Sequence, residues 1–294
     1  ATGMVYDSGD YDKALREAER LWAADAEGTA RAAAARAAGK RVGTGLCTWV
    51  EVCGLAPSAV MKAVGITAPG WETAQLRLHP TGKATVITGT SPHGQGHATS
   101  WSQIVESRLG IPYEDVEVIH GDTAYAPYGL GTYGSRSLAV GGTAVWNAAE
   151  KIRDKAKKIA AHTLECSADD LEFEAGRFSV KGSPDRGTTI QEVAWAGWLA
   201  HDMPEGVDPG FDEVVFFDPP NMTYPFGAHL CEVAVDPETG QVQILRYLAV
   251  DDCGEVVNPM IVDGQVHGGV VQGIAQALFE ETVFDEHGQP LTVG

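Results

Sequence analysis

The residues best placed to do chemistry sit in one short stretch, Ser91-Pro-His-Gly-Gln-Gly-His97. Its glycines let main-chain N–H groups come close to a ligand, and Gln95 between them carries an amide that can both donate and accept. An apolar hairpin pattern precedes the stretch and a helical pattern follows it. The turn is therefore expected at a helix N-terminus, where unpaired N–H groups and the helix dipole suit a phosphate or pyrophosphate. No Lys or Arg lies in the turn, so an anion there would be held mainly by backbone amides. The alternative is an ordinary capping turn. His93 and His97 have no further ligand types nearby at zinc-site spacing, so no protein-held metal is expected.

A second cluster, Thr132-Tyr-Gly-Ser-Arg-Ser137, combines hydroxyls, an arginine and a permissive backbone. Its Ser and Thr hydroxyls can meet phosphate oxygens. Arg136 can make a bidentate contact with a ligand or a structural ion pair. Asp251, Asp252, Glu255 and Asp263 are close in sequence but match no calcium loop, and read as loop charges or helix caps. There is no nucleophile elbow, Walker sequence or Rossmann glycine pattern. From the residues alone the chain reads as an α+β protein that binds a phosphate-bearing ligand through glycine turns, with no reaction specified.

The elements that must position these clusters follow from periodicity. Residues 11–38 read as helical and 41–53 as a strand. Residues 74–89 form a hairpin about Pro80-Thr-Gly82, and the helix after Gly96 places Trp101, Ile104, Val105 and Leu109 on one face. A short strand over 116–119, a loop over 121–137 and a helix over about 142–164 come next. Then follow a hairpin over 171–180, a helix capped by Thr189 and a Pro- and Asp-rich connection over 201–222. A second long hairpin, 227–250, turns at Asp236-Pro-Glu-Thr-Gly240, and a last helix is expected over about 265–280. Gly94-Gln95 and Gly264-Gln265 would both open a helix after a hairpin, which reads as a faint internal repeat of two hairpin-loop-helix units. The chance alternative is that such turns are common. The composition shift places a division at 210/211, with residues 1–210 forming one subdomain and 211–294 part of a second.

Composition narrows the partners. The 294 residues carry a net charge of −19, which argues against nucleic acid as the main partner. No apolar run is long enough to span a bilayer, and no secretory signal pattern opens the chain. Five scattered cysteines read as reduced thiols of a cytoplasmic protein, most of them packed in the core.

Five segments together are specific: CGLAPS (53–58), TGTSPHGQGH (88–97), GDTAYAPYGLGTYGSRS (121–137), YPFGAHLCEVAVDPETG (224–240) and DDCGEVVNPMIVDGQVHGGVVQGIAQAL (251–278). In order and over nearly the whole chain, they resemble the molybdenum-binding large subunit of the xanthine dehydrogenase/aldehyde oxidase family, with the aerobic carbon monoxide dehydrogenase branch nearest. The resemblance implies a molybdopterin-binding α+β fold of two related subdomains around a molybdopterin cytosine dinucleotide. His93, Gly94, Gln95, Gly96 and His97 would line its metal end and pterin, with Gln95 nearest the molybdenum. Thr132, Tyr133, Ser135, Arg136 and Ser137 would meet the pterin or dinucleotide. Phe226, Gly227 and Ala228 would lie near the site, and Asp263 and Gln265 would reach the nucleotide. No protein side chain need ligate the metal.

The implied reaction is oxidative hydroxylation of a small molecule with water: CO to CO2, or oxidation of an aldehyde or N-heterocycle. Electrons would pass to [2Fe-2S] clusters and FAD on partner subunits, in a dimer of heterotrimers. Copper beside molybdenum is implied for the CO-oxidising case. Family large chains are more than twice as long and carry a glutamate general base that has no counterpart here. The chain is therefore expected to be a fragment, inactive in isolation. The alternative is a non-catalytic cofactor-binding or assembly module.

Overall fold

The structure, a computed structural model, describes residues 4–63, 65–126 and 128–292. Pro127, inside the expected 121–137 loop, and residues 293–294 of the closing segment fall outside the described residues. The chain divides into two compact units, with the boundary in sequence between Gly254 and Glu255.

The first unit opens with α1 (Tyr11–Ala24) and α2 (Ala26–Ala37). The expected single helix is broken because Asp25 ends the first and caps the second, its carboxylate accepting from Gly28 N at 2.8 Å. Strands β1 (Arg41–Val50), β9 (Phe226–Val235) and β10 (Val242–Asp252) form an antiparallel sheet in the order β1-β9-β10. Alternation in β9 turns Phe226, Ala228, Leu230, Glu232 and Ala234 inward. There Ala228 and Leu230 pack with Ala18, Leu15 and Trp22 of α1.

A second sheet has the order β4-β3-β2-β8, from β2 (Glu72–Leu78), β3 (Ala84–Thr88), β4 (Val116–Ile119) and β8 (Asp212–Phe217). Strand β4 runs parallel to β3 and the other pairings are antiparallel. The parallel step requires a crossover, which α4 (His97–Leu109) supplies. Trp101, Ile104, Val105 and Leu109 of α4 are buried, as their spacing predicts, and Gly110 closes the helix in the left-handed conformation. Helix α5 (Thr143–Thr163) packs on both α4 and β2 through Val145, Ala148, Ile152, Ala156 and Ile159. A π-helical turn over Ser137–Gly142 leads into it.

The remaining elements are α3 (Ser58–Ala63), a three-stranded sheet of β5 (Leu171–Glu174), β6 (Arg177–Val180) and β7 (Ser183–Thr189), and α6 (Ile190–Leu199). Thr189 and Glu192 make the full capping box at the start of α6.

Three expectations need correction. The connection over 201–222 contains β8, an edge strand whose Phe216 is exposed. Of the five cysteines, only Cys53 is buried; Cys47 and Cys253 are exposed. In the second unit, α7 (Pro259–Leu278) starts six residues before the expected Gln265. Asn258 caps it by accepting from Ile261 N, and Pro259 supplies a preformed first turn. Gly264 and Gln265 therefore lie within α7 and do not form a bend. The hairpin-loop-helix order recurs as expected, but the Gly-Gln echo does not.

The mix of helices and separate, mostly antiparallel sheets is the α+β class expected. Hydrogen-bonded sheets cross the expected 210/211 division, since β8 pairs with β2 and β9 with β1.

Candidate cofactor-binding site

Strand β3 ends at Thr88 and α4 begins at His97, so the 89–96 segment must reverse direction without regular structure. Gly94 and Gly96 do this with φ of 108° and 74°, values that side chains rarely tolerate. A Cβ on Gly94 would meet nothing within 4 Å, so this side of the turn is open. His93 and Gly94 are exposed and Gln95 is half-buried. The turn thus faces outward, as a ligand-binding bend must.

Helix α4 starts differently from most others. Side chains of Asp10, Asp25, Thr189 and Asn258 cap α1, α2, α6 and α7. At α4 the N-cap is Gly96 and no side chain caps the helix. Its first-turn N–H groups are left for an external acceptor, and the helix dipole favours an anion there. Gln95 is oriented by its own turn. Its Oε1 accepts from the main-chain N–H of His93, so the amide NH2 is the end left to donate.

The second cluster comes to the same place. His93 Nε2 lies 3.3 Å from the carbonyl of Thr132, tying the turn to the 132–137 loop. Since a carbonyl only accepts, His93 donates through Nε2. Ser137 is buried and donates its hydroxyl to that of the half-buried Thr132 at 2.9 Å. Ser135 is exposed with φ of 50°, a strained value held by its carbonyl accepting from Gly54 N at 3.1 Å. Gly131 is left-handed with open space at its Cβ position. The exposed Tyr133 ring lies 5.4 Å from the Arg136 guanidinium.

Behind this surface the fit is tight. A Cβ on Gly89 would lie 2.3 Å from Gly129 Cα, and one on Gly141 would lie 2.5 Å from Thr90 Cγ2. One group of glycines thus lets the two loops touch, and another leaves their outer face open.

His97 is buried, donating through Nδ1 to the Thr90 carbonyl at 3.2 Å and packing near Trp101. Burial lowers its pKa, the Thr90 carbonyl opposes that, and His120 and His93 add to the lowering. A neutral, inward-facing His97 anchors the start of α4. Burial also pushes the Cys53 thiol up to about 11, against a smaller opposing effect from Ser135. That thiol is a packing group at neutral pH.

The remaining expected residues have different surroundings. The Arg136 side chain is fully buried and donates to protein acceptors. Phe226, Gly227 and Ala228 are buried in β9, the central strand of its sheet. Phe226 meets the edge of Tyr11, and a Cβ on Gly227 would strike Asp251 Oδ1 at 2.3 Å. Their contacts thus run to α1, β1 and β10 rather than to the open turn. Asp263 and Gln265 are exposed in the second turn of α7. Among the described residues, no group of three or more His, Cys, Asp or Glu side chains is arranged to hold a metal ion. No helix among them is long and apolar enough to cross a membrane.

Sequence reasoning missed Glu72, a fully buried carboxylate at the start of β2. Nothing near it in sequence marks it, because its partner is 64 residues away.

Comparison with known proteins gives the relatives of the chain. The family pattern described as "Molybdopterin cofactor-binding domain" matches residues 19–294. The carbon monoxide dehydrogenase large chain of Hydrogenophaga pseudoflava is 45% identical over 293 residues, 98% of this chain and 36% of that one. A solved Cu,Mo-CO dehydrogenase superposes with a TM-score of 0.88 at 42% identity, covering 98% of this chain and 36% of its own. Quinoline 2-oxidoreductase from Pseudomonas putida 86 also gives 0.88, at 35% identity, covering 97% and 36%. The chain thus spans about 36% of the length of these relatives.

Proposed function

This chain belongs to the molybdopterin cofactor-binding domain family, and we propose that it forms one wall of the cofactor site in the large chain of a molybdenum hydroxylase. The observation that carries this reading is the α4 N-terminus, which has no side-chain cap and faces outward beside a hydroxyl-bearing loop. A phosphate-bearing pterin suits that surface, because main-chain N–H groups and hydroxyls can hold anionic oxygens without a competing side chain.

The residues divide the work. Gly94 and Gly96 keep the backbone accessible, and the Gln95 amide donates to an oxygen of the bound group. Thr132 and Ser135 offer hydroxyls from the adjoining loop, the buried Ser137 orients the Thr132 hydroxyl by donating to it, and the Tyr133 ring flanks them. Asp263 and Gln265 remain candidates for the nucleotide end. When bound, the molybdenum–pterin group supplies two-electron redox chemistry for hydroxylation with water. The protein binds, orients and donates hydrogen bonds.

The nucleotide we propose is cytosine. The substrate we propose is carbon monoxide, with copper beside molybdenum, since CO dehydrogenase large chains have the highest identities reported above. An N-heterocycle is the second reading, favoured by the equal TM-score of quinoline 2-oxidoreductase. Partner subunits would carry [2Fe-2S] clusters and FAD, in a dimer of heterotrimers.

The test is to purify the native gene product from its host and measure molybdenum by mass spectrometry and the nucleotide released by acid. Molybdenum and cytidine nucleotide in equal amounts are expected, with dye reduction driven by CO. Reduction by N-heterocycles alone selects the second substrate reading. A product that folds with neither molybdenum nor nucleotide contradicts the assignment and favours a non-catalytic module.

A further inference from the structure

Glu72 and Arg136 are the most deeply buried opposite charges in the described structure, each side chain 0% exposed, with Arg136 Nη1 2.8 Å from Glu72 Oε1. Their other hydrogen-bond partners are all main-chain groups. Arg136 donates from Nε to the Leu55 carbonyl at 3.1 Å, from Nη1 to Gly131 at 3.0 Å and from Nη2 to Gly70 at 2.9 Å. Glu72 Oε1 also accepts from Leu130 N at 2.5 Å. One oxygen of the pair thus grips residue 130 and the guanidinium grips residue 131, immediately before the hydroxyl-bearing loop.

Residues at and just before the start of β2 extend the grip. Thr73 donates to the Tyr128 carbonyl at 2.5 Å, and Trp71 packs against the Tyr128 ring at 3.7 Å. Among the described residues Glu72 Oε2 has no hydrogen-bond partner, and a Cβ on Gly89 would lie 2.6 Å from it. A buried ion pair with an unpartnered oxygen adds little to stability compared with a well-packed apolar pair. What it does supply is a fixed path for the backbone it holds.

We propose that Glu72 and Arg136 are a positioning pair. They set the 129–137 loop in the shape that presents the Thr132 and Ser135 hydroxyls to the cofactor, and neither touches the cofactor itself. This rests on the cofactor reading above, and reassigns Arg136 from ligand contact to support.

Two variants of the native gene product test it. Arg136→Lys keeps a charge for Glu72 but loses the planar fork that reaches three carbonyls at once. Glu72→Met/Arg136→Met removes both charges, so that neither is left buried and unpaired. Readouts are thermal midpoint, amide hydrogen exchange over residues 130–137 measured without cofactor, and molybdenum per chain. Both variants should keep a folded transition, exchange the loop amides at least about tenfold faster and lose most of their molybdenum. The double variant should be at least as heat-stable as Arg136→Lys.

Loop exchange at the parent rate in a folded variant overturns the proposal, as does fast exchange with full molybdenum. If the double variant does not fold, Arg136→Lys decides on the same readouts. A parent protein without molybdenum contradicts the cofactor reading instead, while the exchange comparison still reports on the pair.

Discussion

Gly94-Gln95 and Gly264-Gln265 share a dipeptide and differ in almost everything else. The first lies in an irregular turn, with Gly94 at φ of 108° and the following helix uncapped by any side chain. The second lies inside a 20-residue helix that Asn258 and Pro259 have already started. In the first, glycine permits a backbone conformation that other residues resist. In the second, glycine occupies ordinary helix with open space at its Cβ position. A dipeptide takes its role from where the chain begins its hydrogen-bonded ladder, and that is set several residues upstream.

This contrast can be broken experimentally. The largest effect is expected for Gly96→Val, which puts a β-branched residue at φ of 74°. Molybdenum per chain in the native gene product should fall at least about tenfold, and normal content would remove the turn from the site. Gly89→Ala should cost about 2 kcal/mol in denaturant unfolding, because its Cβ meets backbone at Gly129 with nowhere to move. An unchanged midpoint would mean that the two loops are not in contact. On the other side of the comparison, Asn258→Ala should cost about 1 kcal/mol of helix stability. Gly264→Ala should gain up to about 1 kcal/mol, and a loss instead would mean that the position needs glycine after all.

The smallest effect is a pH dependence. Burial holds the His97 pKa below its ordinary value. Its contribution to stability is therefore present above about 6.5 and is lost as pH falls through the lowered value, because the unfolded chain takes up the proton first. His97→Asn should flatten stability between neutral and mildly acidic pH, as followed by thermal unfolding. An equally steep profile would assign the acid sensitivity to other groups.

Much of this was legible from the chain. The α4 and α5 faces follow from apolar spacing, because burial against a sheet imposes a helical period. The Asp236–Gly240 turn follows from its turn residues. Strand β8 was hidden because Asp212-Glu213 and its exposed Phe216 make an edge strand look like a connection. The break at Asp25 was hidden because a capping aspartate inside an Ala-rich run resembles one more helical residue. The turn and hydroxyl loop were readable as candidates from glycines and hydroxyls. Their meeting through His93 and Thr132 was not, since it depends on tertiary placement. Arg136 shows the same limit, because the sequence leaves ligand contact and structural ion pair both open and only the buried carboxylate partner decides between them.

The most direct test is a high-resolution structure of the native gene product purified with its cofactor bound. The account predicts cofactor oxygens within about 2.7–3.2 Å of main-chain N–H groups in the Gly94–His97 turn, and a hydroxyl of the 132–137 loop on the same group. A cofactor bound with this turn facing only water or protein would contradict it.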